Sequence, residues 1–460
     1  RIAETHRYIY QDPFTFTVAG APWSPQSYLS GIIFYALFKL GGMTAIGVLR
    51  VALVGVMSWL MLRTLRRIGA AWAITVPLVL VALINSHSRF TDRGQIFEYV
   101  FIVWLVGFLL TSHERRGAAF FILPLLVQLA WVQLHSSFLL GPVLAAIFFA
   151  CEWIAPRTGF TRALGSHDWK RPVLLVALMA LVCVVNPNPK AFLIQPFDPV
   201  QRDLLTRYTL EWKSPFDPAM KAANFHPYYE VLLGGAALAV LLRLGSLPLA
   251  PVALLLATAL LSFQSHRFRV EFALVAVPMI ALLLRDAPLV AGIRRIWPSR
   301  AMWSVIGIAL ALSLMVAERA RVLESQDIPY LYPKGALDFV AKENVAQRPF
   351  STIGFGSYAL WELYGQRPTF IDGRNFDPQL YTDFLTAQTR ETSWREINRK
   401  YKPDAFILPA PEQADKGTQN LHAWLSKAAD WPLVYRDDRA LVYVAAASVD
   451  STWLGQHRIR

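Results

Sequence analysis

The sequence predicts a mainly α protein: a polytopic transmembrane helical bundle of about ten spans, followed by a C-terminal exoplasmic α/β domain. Three observations carry that reading. Hydrophobic residues fill 55% of 460 positions at a mean hydropathy of +0.36, too apolar for an ordinary soluble chain. They gather into continuous runs rather than at amphipathic spacing. The runs stop near residue 318, where strand-like and helix-like stretches begin to alternate.

Other compositional features fit. The chain has 15 Trp and 16 Tyr, rings suited to anchoring helices at headgroup level. A net charge of +13 would suit nucleic acid if it formed one basic face. Here Lys and Arg sit instead in short clusters between apolar runs, where they set topology, so nucleic acid is not an expected partner. Cys151 and Cys183 fall inside apolar runs near opposite faces of the expected bilayer, too far apart for a disulfide.

Residues 1–43 read as a first exoplasmic loop. Within it, 27–40 (SYLSGIIFYALFKL) is apolar but brief, and reads as an interfacial or re-entrant helix. The bundle occupies 44–317, with spans expected at 44–62, 71–86, 96–112, 118–134, 137–155, 171–186, 228–243, 247–264, 268–285 and 301–317. Orientation follows from the basic loops. RTLRR at 63–67, HERRG at 113–117, the 156–171 loop (Arg157, Arg162, Lys170, Arg171), Arg243, and the 285–300 loop (Arg285, Arg294, Arg295, Arg300) face the cytoplasm. Residues 1–43, 85–95, 134–137, 186–227, 263–268 and the tail are then exoplasmic, and periplasmic in a bacterial inner membrane. With both ends outside, residue 1 must have crossed the membrane, so a first helix upstream of Arg1 is expected.

The soluble tail, 318–460, reads as a strand at 350–355, a short helix at 357–365, a second strand at 367–374 and a helical stretch at 378–400. A strand at 403–409, a helix at 418–429 and a hairpin turning at Asp437-Asp438 follow. Gly354-x-Gly356-x-x-Ala359, with Asp372 about 18 residues beyond the first glycine, has dinucleotide-site spacing. The helix is too short for that role and an outer compartment lacks NAD. A tight turn with a loop-shaping Asp372 is the better reading.

Candidate functional residues are the polar ones at the exoplasmic ends of the spans, because ionisable groups there are costly without a use. They are Asp12 in YQDPF; Asn85, His87, Arg89, Asp92, Arg93 and Gln95 in the second outer loop, with Glu98 just inside the next helix; His135 in WVQLHSSF; Glu211 in LEWKSP; and His266, Arg267, Arg269 and Glu271 in SFQSHRFRVEF. All fall on one side of the expected membrane. Arginines and histidines suit a phosphate or pyrophosphate, and a carboxylate suits a general base or a divalent cation such as Mg or Mn. Each has a plainer use: Asp12-Pro13 as a turn, Asp92 paired with Arg93, His135 bridging helices, the arginines anchoring headgroups. No HExxH, GxSxG or P-loop motif is present.

The ordered segments YQDPFTFTVAGAPWSPQSYLSGIIFYALFKLGG, SRFTDRGQIFEYVF, WVQLHSSFLLG, VVNPNPKAFLIQP, EWKSP, HRFRVEFALVAVP and GFGSYALWELYGQRPTFIDGR resemble bacterial membrane proteins of the GT-C glycosyltransferase class. The chain is similar to protein mannosyltransferases and to aminoarabinose and oligosaccharyl transferases. The resemblance implies transfer of a sugar from a polyprenyl-phosphate-linked donor to a glycan, lipid or protein acceptor in the cell envelope. It implies an acid in the first outer loop as base or metal ligand, matched here by Asp12 and, second, by Glu4. It also implies that His87, Arg89, Arg93, Gln95, His135, Glu211, His266, Arg267 and Arg269 bind the substrate. The alternatives are a non-catalytic scaffold of envelope glycan assembly and a transporter.

Overall fold

The computed structural model describes residues 1–25, 27–115, 117–158, 161–162, 164, 169–194, 197–223, 227–285, 332–374 and 377–459. The chain divides into two units: Arg1–His6 with Pro25–Val322, and Arg7–Ser24 with Leu323–Arg460.

The first unit is helical. Its main elements are α1 (Tyr28–Arg67), α2 (Trp72–Ser86), α3 (Gln95–Leu110), α4 (Ala119–Leu134), α5 (Leu140–Thr158), α6 (Lys170–Val182), α7 (Pro227–Leu241), α8 (Leu249–Gln264) and α9 (Arg269–Leu284). Helix α9 is apolar all round and buried from Arg269 to Leu283, so it forms the axis on which α2, α3, α7 and α8 pack. Helix α1 lies along α3, and α5 along α8. Helices α2 to α9 begin and end within a few residues of the expected spans, whereas α1 starts well before its expected span at 44–62.

Helix α1 joins the expected interfacial segment to the first expected span through a kink. Gly41 (φ −158°, ψ 24°) and Gly42 (φ 62°, ψ −153°) leave helical geometry, and the second conformation is one that a side chain resists.

Two described helical stretches are long and apolar enough to cross a membrane, Tyr28–Arg67 and Ser136–Thr158. This corrects the expectation of about ten spans. At about 1.5 Å per residue a 16-residue helix is ~24 Å long, short of a ~30 Å hydrocarbon core. Other apolar helices, Ile74–Arg89, Gln95–Leu110, Ala119–Leu134, Tyr228–Leu241 and Leu249–Gln264, are 10–17 residues long. The expected span 301–317 lies outside the described residues, as do Arg294, Arg295 and Arg300.

The second unit is α/β. It runs α10 (Lys334–Lys342), β1 (Pro349–Ser351), α11 (Ile353–Glu362), α12 (Pro378–Thr386), α13 (Glu391–Tyr401), β2 (Ala405–Pro409), α14 (Lys416–Leu425), β3 (Leu433–Arg436), β4 (Ala440–Val444) and α15 (Ser451–His457). The sheet order is β1-β2-β4-β3, with β1 parallel to β2 and the other pairs antiparallel. Side-chain caps start the helices: Thr352 for α11, Asp377 before Pro378 for α12, Asp415 for α14 and Asp450 for α15.

Those caps explain where the tail departs from expectation. The strand expected at 350–355 stops at Ser351 because Thr352 caps a helix. The stretch 378–400 is two helices, not one. Segment 367–374 is not a strand of the sheet; it pairs with the N-terminal strap instead, through the Thr15–Thr369 bridge. Phe16 N–H donates to Thr369 O, and Thr369 N–H to Phe14 O. Gly354 and Gly356 lie within α11, where a Cβ at Gly356 would collide with the Ile371 carbonyl oxygen. The glycine thus permits one backbone to approach another, and Asp372 is engaged by Arg374.

Candidate functional site

In the helical unit, sequence-distant helix ends are brought together by bonds between their polar residues. The end of α2 carries Asn85 and Ser86, then the turn with Ser88 and Arg89. The start of α3 presents Gln95 and Glu98, the end of α4 delivers His135, and α9 opens with Arg269 and Glu271. The segment Leu210–Trp212 completes the set.

Arg89 is the hub. Its guanidinium donates to Glu211 Oε2 at 2.5 Å and to Gln95 Oε1 at 3.0 Å. Burial alone would raise the Glu211 carboxyl; Arg89, with Arg267 and Arg93 further off, holds it below the usual carboxylate range. Arg269 donates to Ser88 Oγ at 2.6 Å, and its carbonyl accepts from Asn85 Nδ2 at 3.3 Å. Arg267 lies 5.0 Å over the Trp212 ring. Ser265 Oγ donates to Glu211 O, and His266 N–H to Lys213 O, so the EWKSP segment is tied to the turn before α9.

His135 and Glu98 form the innermost pair. Glu98 is 0% exposed, and His135 Nδ1 approaches its Oε2 to 2.9 Å. This contact is one of distance, since neither Glu98 oxygen has a partner in hydrogen-bond geometry. Nδ1 also lies 2.8 Å from Ser137 Oγ, which accepts from Trp131 Nε1.

Several buried polar atoms here lack partners among the described residues: Asn85 Oδ1, Ser86 Oγ, Arg89 Nε, Gln95 Nε2, both Glu98 oxygens, Arg269 Nε and Nη1, and Glu271 Oε2. Each such atom costs about 1–3 kcal/mol if it stays unpaired. Their concentration at one end of a bundle marks a place for water or a polar ligand. Donors on the arginines suit an oxyanion, and the carboxylates suit hydroxyl or amide donors.

The structure thus assembles Arg89, Gln95, His135, Glu211, Arg267 and Arg269 in one unit. Arg93 is exposed and acts on Glu211 through space. His266 is buried, tied by its backbone. His87 Nδ1 lies 2.8 Å from Ile84 O, at the end of its own helix. Asp92 pairs with Arg50 at 2.9 Å rather than with Arg93, and its burial raises it against that pull. Arg50 went unremarked in the sequence, although an arginine inside an expected span was itself a signal. Glu4 is exposed and accepts from Tyr35 OH at 2.8 Å.

Asp12 belongs to the other unit. Its Oδ1 accepts from Phe14 N–H at 3.0 Å and its Oδ2 from Thr15 OH at 2.5 Å, with Arg374 at 3.9 Å. Among the described residues no group of three or more His, Cys, Asp or Glu is placed to hold a metal ion. The two buried glutamates are accompanied by arginines, a donor set that does not fit a divalent cation.

No family model matches the chain, and no curated protein matches it either. Solved structures do. The Archaeoglobus fulgidus oligosaccharyltransferase tethered with an acceptor peptide containing the NVT sequon superposes with a TM-score of 0.55 at 13% identity, over 97% of this chain and 68% of that one. The archaeal oligosaccharyltransferase AglB from the same organism, in complex with an inhibitory peptide and a dolichol-phosphate, gives 0.54 at 14%, over 98% and 69%. The Archaeoglobus fulgidus oligosaccharyltransferase in complex with Zn and sulfate gives 0.50 at 15%, over 96% and 67%. At these identities the likeness shows the fold alone.

Proposed function

We propose that this chain is a GT-C-type glycosyltransferase that moves a sugar from a polyprenyl-phosphate-linked donor to an envelope acceptor. It would act on the exoplasmic face of a bacterial inner membrane, as a multi-pass protein with its α/β domain outside. The observation that supports this most is the arginine cluster at one end of the helical unit, beside buried Glu98 and Glu271 oxygens that lack hydrogen-bond partners among the described residues. A fold shared with oligosaccharyltransferases, one of them bound to dolichol-phosphate, adds to it.

The chemistry asks for two things. The acceptor attacks the anomeric carbon while the bond to the phosphate oxygen breaks with its electron pair, so negative charge grows on the leaving polyprenyl phosphate. Arg89, Arg93, Arg267 and Arg269 supply fixed positive charge for it. The acceptor also loses a proton, and the resemblance assigns its removal to Asp12 or, second, to Glu4.

The test is release of polyprenyl phosphate from a labelled lipid-linked sugar by the purified full chain. Arg267→Ala should cut kcat/KM by about tenfold to a hundredfold, as for a lost charge-assisted contact. Unchanged release in this variant removes the arginines from the reaction. Asp12→Asn and Glu4→Gln test the two acids in the same assay. Tight binding of the lipid phosphate with no turnover of any donor would favour the scaffold.

A further inference from the structure

We propose that His135, with Glu98 behind it, is the group that takes the acceptor's proton. The inference rests on the transferase reading and replaces Asp12 in the proton-accepting role.

Geometry carries it. Both Asp12 oxygens already accept hydrogen bonds from their own turn. In the helical unit, by contrast, Glu98 is fully buried, its oxygens lack a donor in good hydrogen-bond geometry among the described residues, and His135 Nδ1 lies 2.9 Å from Oε2 with the Ser137 side chain beside the pair. A buried carboxylate left without a donor is costlier than a weak N–H contact. The Nδ1 proton therefore belongs toward Glu98, in preference to Nδ1 accepting from Ser137 Oγ at 2.8 Å or from Ser137 N–H at 3.3 Å. That choice leaves Nε2 with a free lone pair, and it has no partner among the described residues. A carboxylate that orients an imidazole and stabilises its cation is the arrangement by which a histidine becomes a general base.

The step balances. Nε2 takes the proton from the acceptor O–H or N–H, the acceptor forms its bond to the anomeric carbon, and the phosphate oxygen keeps the pair of the breaking bond. Glu98 carries the counter-charge of the imidazolium, and the proton then leaves to water. The charged groups around the pair are Glu271 on α9 and Arg267 in the turn before it, both acting on Glu98 electrostatically, and Arg89, which acts on Glu271.

The experiment measures kcat and KM for release of undecaprenyl phosphate from undecaprenyl-phosphoglucose and undecaprenyl-phosphomannose between pH 5 and 9, using the full chain. Binding of undecaprenyl phosphate is followed alongside. Wild type should lose activity on the acid side as one proton is taken up. His135→Gln should abolish that acid limb and lower kcat by about 10²–10⁴, with an unchanged melting temperature as proof of folding. Glu98→Gln should move the limb to lower pH, and Glu98→Asp should move it back. A limb that persists in His135→Gln, or a kcat within threefold, overturns the proposal. So does a limb lost in Glu271→Gln but kept in His135→Gln, which would assign the proton to Glu271. Wild type that binds lipid phosphate yet releases none from either donor sinks the transferase reading itself, and the dyad with it.

Discussion

Arg374→Ala should loosen the N-terminal strap from the α/β unit. The Arg374 guanidinium donates to both oxygens of Asp372, at 2.8 and 2.7 Å, and the Asp372 side chain is 0% exposed. Its other faces lie 4.1 Å over Phe14 and 5.1 Å over Trp23, both on the strap. Truncation leaves a buried carboxylate with only the Arg374 backbone N–H, a loss of about 3–5 kcal/mol for a wholly buried pair. Arg374 is itself 31% exposed, so water enters and the lower end applies, ~3 kcal/mol. Two ring contacts add about 0.5–1 kcal/mol each. The total, ~4 kcal/mol, corresponds to a fall of about 8–16 °C in Tm for a unit of this size. Thermal unfolding of the full chain in detergent, with hydrogen exchange on residues 7–24 and 367–374, measures it. Arg374→Lys should fall between, since it keeps the charge and loses the fork. A Tm shift under about 2 °C with unchanged exchange in both segments would refute the reasoning.

Three further outcomes follow from the geometry. Gly42→Ala should cost about 1–3 kcal/mol because its φ of 62° and ψ of −153° suit glycine, although nothing lies within 4 Å of a Cβ there; an unchanged melting temperature would show that the kink relaxes freely. Gly356→Ala should destabilise the α/β unit by at least 1–3 kcal/mol, because the new Cβ meets the Ile371 carbonyl, and denaturant unfolding reads this directly. Glu211 is held below the usual carboxylate range, so its stabilising contribution is complete above its unfolded value of about 4.3 and is lost as pH falls through the folded one. Exchange at residues 209–215 should therefore quicken below about pH 4 in wild type but not in Glu211→Gln; loosening near pH 7 would contradict the pairing.

The sequence by itself determined the positions of helices α2 to α9 in the first unit, because a continuous apolar run specifies buried helix whatever its neighbours are. It also placed the hairpin at Asp437-Asp438 and the polar residues at the helix ends, since a charge beside an apolar run is visible as it stands. Helix lengths were less legible. The 3₁₀ turns at His87–Arg89 and His266–Phe268 depend on local backbone hydrogen bonds that hydropathy does not register.

Partners were decided only by tertiary structure. Asp92 finds Arg50 across 42 positions, Arg89 finds Glu211 across 122, and segment 367–374 finds the strap at 14–17 rather than the sheet. A side chain's charge is local, but the cost of burying it depends on which group faces it, and chain separation carries no record of that. For the same reason His135 and Glu98, plain as single residues, acquire a chemical meaning only when α3 and α4 bring them within 2.9 Å.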